Sequence, residues 1–153
     1  MCDPLSDAFT IRVGSSPQAV VAGGGSVWVA NTLDNSVWRI DESTRKVTAR
    51  VNLLSPPTNL ALDGASLWVL SETGNTVSKV ETSTGTIVAT IPVGAQPVAL
   101  AAGSGGVWVA ADQGHDVERV DVSRNVVVAR LPVDGSPGGL VTDGARVWVT
   151  VRK

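Results

Sequence analysis

Four tryptophans, Trp28, Trp68, Trp108 and Trp148, stand forty residues apart, and four prolines, Pro17, Pro57, Pro97 and Pro137, keep the same interval. A fixed period in the range of roughly 20–50 residues means that one supersecondary unit is stacked on copies of itself, as a solenoid, a propeller or an array. The register runs deeper than two residue types. Val13, Leu53, Val93 and Val133 match, as do Val20, Leu60, Leu100 and Leu140. Ile40, Val80 and Val120 recur, each followed at once by an acid, Asp41, Glu81 or Asp121. Three full units span residues 14–53, 54–93 and 94–133, and residues 134–153 begin a fourth.

Each unit reads as strand. Val, Thr, Trp and Ile dominate, and Gly, Asn, Asp and Pro interrupt the runs. In the third unit the strands fall at Val98 to Ala102, Gly106 to Ala111, Val117 to Val122 and Val126 to Val133, a four-stranded antiparallel meander. The segment Asp7 to Val13 aligns with Val47 to Leu53, so the chain opens on an outermost strand and ends after the second strand of the fourth unit. One domain therefore covers residues 7–153, behind a disordered tail over residues 1–6.

The runs Val27-Trp28-Val29-Ala30 and Val107-Trp108-Val109-Ala110 are apolar at consecutive positions, so both faces of those strands must be buried. A sheet covered on both faces lies between two others. Four-stranded sheets ranged around an axis satisfy that, which predicts an all-β propeller with about 3.75 blades present. Small residues in the first strands suit a crowded centre, and the four periodic tryptophans are expected as core wedges between blades. Trp38 lies outside the pattern, since Ser78 and Glu118 align with it, and is expected on a blade rim or else as an exposed contact residue. The third and fourth strands are joined by hairpins ending at Arg45, Gly85 and Asn125, each expected in the left-handed region, with Asp41, Glu81 and Asp121 bonding the turn backbone.

Composition narrows the partners. Twelve basic and fourteen acidic residues leave a formal charge of −2 without any like-charge block, which gives no nucleic-acid footprint. No apolar run approaches a membrane span, and the first ten residues lack the features of a signal peptide, so the chain reads as soluble, in a compartment the sequence leaves open. Cys2 is the only cysteine and excludes an internal disulfide. It reads as an exposed terminal thiol, or else as the start of a mature lipoprotein whose signal has been replaced by Met.

The elements "VETSTGTIVATIPVG" and VWVA, with LWVL at its counterpart, resemble the bacterial YVTN-type β-propeller repeats. The resemblance covers nearly the whole chain. It implies a wheel of about seven blades, and it implies a recognition module, extracytoplasmic or regulatory, similar to those appended to actinobacterial regulators and kinases. Streptogramin-lyase-like propellers carry a similar repeat. For them the resemblance implies a histidine base, a glutamate and magnesium over the central face, where this chain has only His115.

The second-to-third strand loops vary while the framework repeats, which is where a scaffold places recognition. Asn31, Asp34, Asn35, Glu72, Asn75, Asp112, His115 and Asp116 are the candidate ligand-binding residues, with Gln18, Asn59 and Gln96 nearer the axis. Asn and Asp are also ordinary turn residues. No catalytic, metal-ligand or cofactor motif is present: Asp112, His115 and Asp116 match no calcium or zinc spacing, and the glycine runs read as turns. A non-catalytic module binding a protein or small ligand is the leading expectation; a lyase-like enzyme and a purely structural assembly domain are the alternatives. The strand tally closes no ring on its own. It favours a piece of a longer wheel, ahead of a dimer that completes one or a four-bladed ring, with self-association expected at the open strand edges.

Overall fold

The computed structural model describes residues 8–153. Residues 1–7, and with them the expected tail over 1–6, Cys2 and Asp7, lie outside the described residues. All assigned elements are strands, in three four-stranded antiparallel sheets and one hairpin. Blade 1 comprises β1 (Pro17–Gly23), β2 (Ser26–Asn31), β3 (Ser36–Asp41) and β4 (Val47–Asn52). Blade 2 comprises β5 (Asn59–Asp63), β6 (Ser66–Ser71), β7 (Thr76–Glu81) and β8 (Thr86–Pro92). Blade 3 comprises β9 (Pro97–Gly103), β10 (Gly106–Ala111), β11 (Asp116–Asp121) and β12 (Val126–Pro132). Blade 4 is the hairpin β13 (Ser136–Thr142) and β14 (Val147–Arg152).

The apolar runs have the predicted consequence. The forward face of blade 1 packs Trp28, Ala30, Val37, Val51 and Leu53 on the rear face of blade 2, formed by Leu60, Leu67, Val69 and Val80. Forty residues on, Trp68, Leu70, Val77, Ile91 and Val93 meet Leu100, Val107, Val109 and Val120. Consecutive side chains of β6 and β10 point to opposite faces and serve one junction each, whereas β2 serves only the junction with blade 2. A buried tryptophan removes roughly 150–250 Å² from water, worth about 4–6 kcal/mol at about 25 cal/mol per Å². Trp28 and Trp68, both 0% exposed, are therefore the main wedges.

Local chemistry repeats with the packing. In every complete blade the pairing of third and fourth strands slips by one residue, between Arg39 and Ile40, Lys79 and Val80, and Arg119 and Val120. A bulge at a fixed place sharpens the twist of the outer edge equally in each blade. Arg45, Gly85 and Asn125 adopt φ of 58°, 69° and 55°, as their hairpin positions require. Asp41 Oδ1 accepts hydrogen bonds from Thr44 N–H and the Ser43 hydroxyl, and Asp121 Oδ1 accepts from Ser123 and Arg124 N–H. Glu81 departs from the expectation, because its longer side chain reaches the Thr84 hydroxyl instead of the turn backbone.

Three expectations are corrected. Residues 8–13 form no strand, since no third strand stands beside them to pair with. They nevertheless lie where an outermost strand would: Phe9 and Ile11 face Val27, Ile40 and Arg45 of blade 1, as Ala49 and Val51 face Gly85 of blade 2. Secondly, the four tryptophans are not equally buried. Trp108 is half-buried and Trp148 is 54% exposed, because blade 4 lacks outer strands and its forward face meets no further blade. Thirdly, no four-bladed ring closes. The inner strands β1, β5, β9 and β13 pack in succession, but β13 does not pack on β1 as its neighbours pack on one another, and Val20 and Val141 stay 68% and 60% exposed.

Candidate functional site

The turns between second and third strands lie on one face and are built alike. Asn35, Asn75 and His115 occupy the same left-handed position, with φ of 48°, 49° and 49°. Their N–H groups donate to the carbonyls of Thr32, Glu72 and Asp112. Their own carbonyls accept from Leu53, Val93 and Val133 N–H at 2.7, 3.0 and 2.8 Å, tying each turn to the end of its outermost strand. Asparagine tolerates this conformation best after glycine. His115 thus stands in an asparagine position, a relation already visible at the forty-residue interval.

The side chains of those turns knit neighbouring connections. Asn75 Oδ1 accepts Gln96 N–H at 2.9 Å, and Gln96 O accepts Asp112 N–H at 2.9 Å. His115 Nδ1 lies 3.0 Å from Gly135 O; because a carbonyl only accepts, Nδ1 carries the proton and Nε2 is left as an acceptor when the ring is neutral. Asp34 accepts the Ser15 N–H, Gln18 Oε1 accepts the Thr32 hydroxyl at 2.9 Å, and Asn59 Oδ1 accepts Leu60 N–H at 2.8 Å. Asn31 is fully buried below Gly14, and neither its amide nitrogen nor its oxygen has a protein partner. Asp112 Oδ1 and Asp116 Oδ1 are likewise enclosed without one.

The candidates therefore gather in part. Glu72, Asn75 and Gln96 line a cleft of about 280 Å³ between blades 2 and 3, together with Thr73, Ala95 and Gln113. Asp112, His115 and Asp116 belong to the next turn, while Asn31, Asp34, Asn35 and Gln18 belong to blade 1. Among the described residues no three His, Cys, Asp or Glu side chains cluster as a metal site would. No helix is long and apolar enough to cross a membrane.

Two features escaped the sequence reading. Arg39, Lys79 and Arg119 also recur every forty residues, and each pairs across the ladder with the blade's tryptophan, its charge 5.8, 5.3 and 5.9 Å from the ring centre. Lys79 Nζ donates to Val122 O of blade 3 at 2.7 Å, Arg119 to Gly105 O at 2.7 Å, and Arg39 Nε to the Ser26 hydroxyl at 2.8 Å. A count of cations along the period would have revealed this column. Arg39 also borders a second recess, about 300 Å³, lined by Trp28, Gly64, Thr82 and Ser83 at the far end of blades 1 and 2.

The second feature is Glu118, 0% exposed on the rear face of blade 3. Burial pushes its carboxyl above the usual value of 4.5, against the Gly94 N–H bond and Arg130, 3.1 Å away, which favour the charged form. Its register position carries Trp38 in blade 1 and Ser78 in blade 2, so the repeat gave no sign of a buried acid. Trp38 sits half-buried on the rim, with the Arg50 guanidinium 4.1 Å from its ring centre.

No family model and no curated protein sequence matches the chain. Solved structures do. Hydrazine synthase of Kuenenia stuttgartiensis matches with a TM-score of 0.82 at 22% identity, over 95% of this chain and 44% of that one. The computationally designed Ika4 protein matches at 0.80 and 14% identity, over 94% of each chain. A streptogramin B lyase matches at 0.75 and 18% identity, over 89% of this chain and 48% of that one. The chain thus spans less than half the length of the two natural proteins and nearly the full length of the designed one. At these identities the likeness concerns the fold alone, and the fold is that of a partial β-propeller.

Proposed function

We propose that this chain is a non-catalytic propeller module that recognises a protein or small ligand on the face formed by its second-to-third strand turns. The observation carrying this reading is the cleft between blades 2 and 3, where Glu72, Asn75, Gln96 and Gln113 present polar groups over a framework fixed by repeated backbone bonds. Rigid strands with side chains varying from turn to turn are the usual arrangement of a recognition surface. Asp112, His115 and Asp116 extend that surface toward blade 4, and Asp34, Asn35, Gln18 and Asn59 extend it toward blade 1, whereas Asn31 is buried beneath it and presents nothing to a ligand. The recognition role and the YVTN-type kinship are supported by the repeat pattern quoted above.

Amide chemical shifts recorded while titrating polar fragments (monosaccharides, primary amides and short neutral peptides) test the reading. Shifts concentrated at Glu72, Asn75, Gln96 and Gln113 are expected. Perturbation confined to the opposite end of the blades, or none at all, contradicts it.

A lyase-like activity is the second reading, favoured by the fold shared with a streptogramin B lyase and by the free Nε2 of His115. Turnover of a streptogramin B by this chain, abolished in H115A and not restored in H115N, would establish it.

A further inference from the structure

The two ends of the arc expose complementary halves of one blade junction. At the forward end, Trp148 and Val141 are 54% and 60% exposed, although their counterparts in blade 2, Trp68 and Ala61, are 0% and 9% exposed. At the rear end, the four side chains corresponding to the seat of Trp28 are Val20, Val27, Val29 and Ile40. That correspondence is direct: Trp28 packs with Leu60, Leu67, Val69 and Val80, each forty residues later. On the innermost strand of this rear face Val20 is 68% exposed and beside it Val27 is half-buried, while Val29 and Ile40 are already covered, at 8% and 6%.

We propose that the occupant of each open face is a second copy of this chain, docked head to tail, with Trp148 of one copy seated on Val20 and Val27 of the other, beside the already covered Val29 and Ile40. The contact continues the junction that the chain already makes within itself at blades 1 and 2 and at blades 2 and 3, so its shape and apolar chemistry are those of an interface known to form. The segment around Phe9 and Ile11 leaves room for it. Those residues lie over Val27, Ile40 and Arg45 as the outermost strand of a preceding blade would, and they leave Val20, nearest the axis, uncovered. The completed junction thus takes its first two strands, β13 and β14, from one copy and its outermost segment from the other.

A head-to-tail contact joins unlike surfaces, so it closes into a ring when the rotation allows and otherwise propagates. Two copies in a ring make two equal junctions and leave neither end free. The sheets meet by their faces, whereas the sequence reading expected the strand edges. This inference is independent of ligand recognition on the turn face.

The test is the solution mass of the full 153-residue chain, by light scattering, for the wild type and two variants. Trp148 is half in solvent and Val20 more so, which makes W148E and V20D tolerable to the single chain; circular dichroism verifies that each is folded. The wild type is expected at twice the 15.7 kDa chain mass, with Trp148 shielded from acrylamide quenching. Each variant alone is expected as a monomer. Mixed together they are expected to regain the two-chain mass at higher concentration, because V20D keeps an intact Trp148 end and W148E an intact Val20 end, giving one good junction. A monomeric wild type overturns the proposal. So does a dimer that survives W148E, which indicates pairing by edges, or one broken by W148E and untouched by V20D, which indicates Trp148 against Trp148. A wild type that runs as an open-ended series of masses overturns the ring.

Discussion

Glu118 Oε2 accepts the Gly94 N–H at 2.9 Å, joining the third strand of blade 3 to the connection that leaves blade 2. The approach is close: a side chain at Gly94 would stand 2.8 Å from Ala111 Cβ and 3.0 Å from Glu118 Oε1. Glycine is needed here for space.

Because burial raises the Glu118 carboxyl above 4.5, the folded state favours its protonated form. The stability this gives is complete below the unfolded value and is lost as pH rises through the folded value. E118Q keeps an acceptor for Gly94 N–H without a charge. It is expected to be more stable than the wild type at neutral pH and to show no advantage near pH 4, as read by urea unfolding across that range.

Asp41 behaves oppositely. Hydrogen bonds from the Ser43 hydroxyl and Thr44 N–H hold its carboxyl down at about 2, from 3.8. Its contribution is present above pH 3.8 and fades as pH falls toward about 2. D41N should therefore lower stability by a constant amount at pH above about 5 and flatten the acid limb between about pH 4 and 2, which thermal melts at stepped pH would record.

Trp68 and Trp108 hold equivalent positions with unequal cover, so their truncation should not cost the same. W68A is expected to lose about 3–5 kcal/mol, the usual range for a fully buried aromatic. W108A should lose measurably less, because the recess of about 290 Å³ around Trp108, Val117 and Leu131 is already unfilled where blade 4 has no third strand. Denaturant midpoints of the two variants check the order.

His115 fills a left-handed turn position that asparagine fills in blades 1 and 2. H115N is expected to fold with unchanged stability, and H115V, β-branched and unsuited to positive φ, to lose about 1–2 kcal/mol. Equal stability of the two variants would remove the structural account of this residue.

The sequence was informative wherever one blade repeats another. Trp28 and Trp68 as wedges, the left-handed Arg45, Gly85 and Asn125, and the carboxylate bond of Asp41 were all legible, since each depends on neighbours within one or two units. Glu118 was not, because its enclosure comes from the Gly94 connection of another blade and its own column offers Trp38 and Ser78. Nor was the clustering of Glu72, Asn75 and Gln96 in one cleft, apart from the other loop candidates. Loop side chains carry no period from which a direction can be read.

By itself, then, the forty-residue lattice of apolar and turn residues determined the strands, their order within each sheet and the faces they bury, because local backbone preference and alternation of side chains suffice for those. Only the tertiary structure decided which of the equivalent positions are filled by a neighbour. Burial belongs to the pair of surfaces that meet, and a residue such as Trp148, flanked by valines as Trp28 is, stays in water where no opposing face meets it.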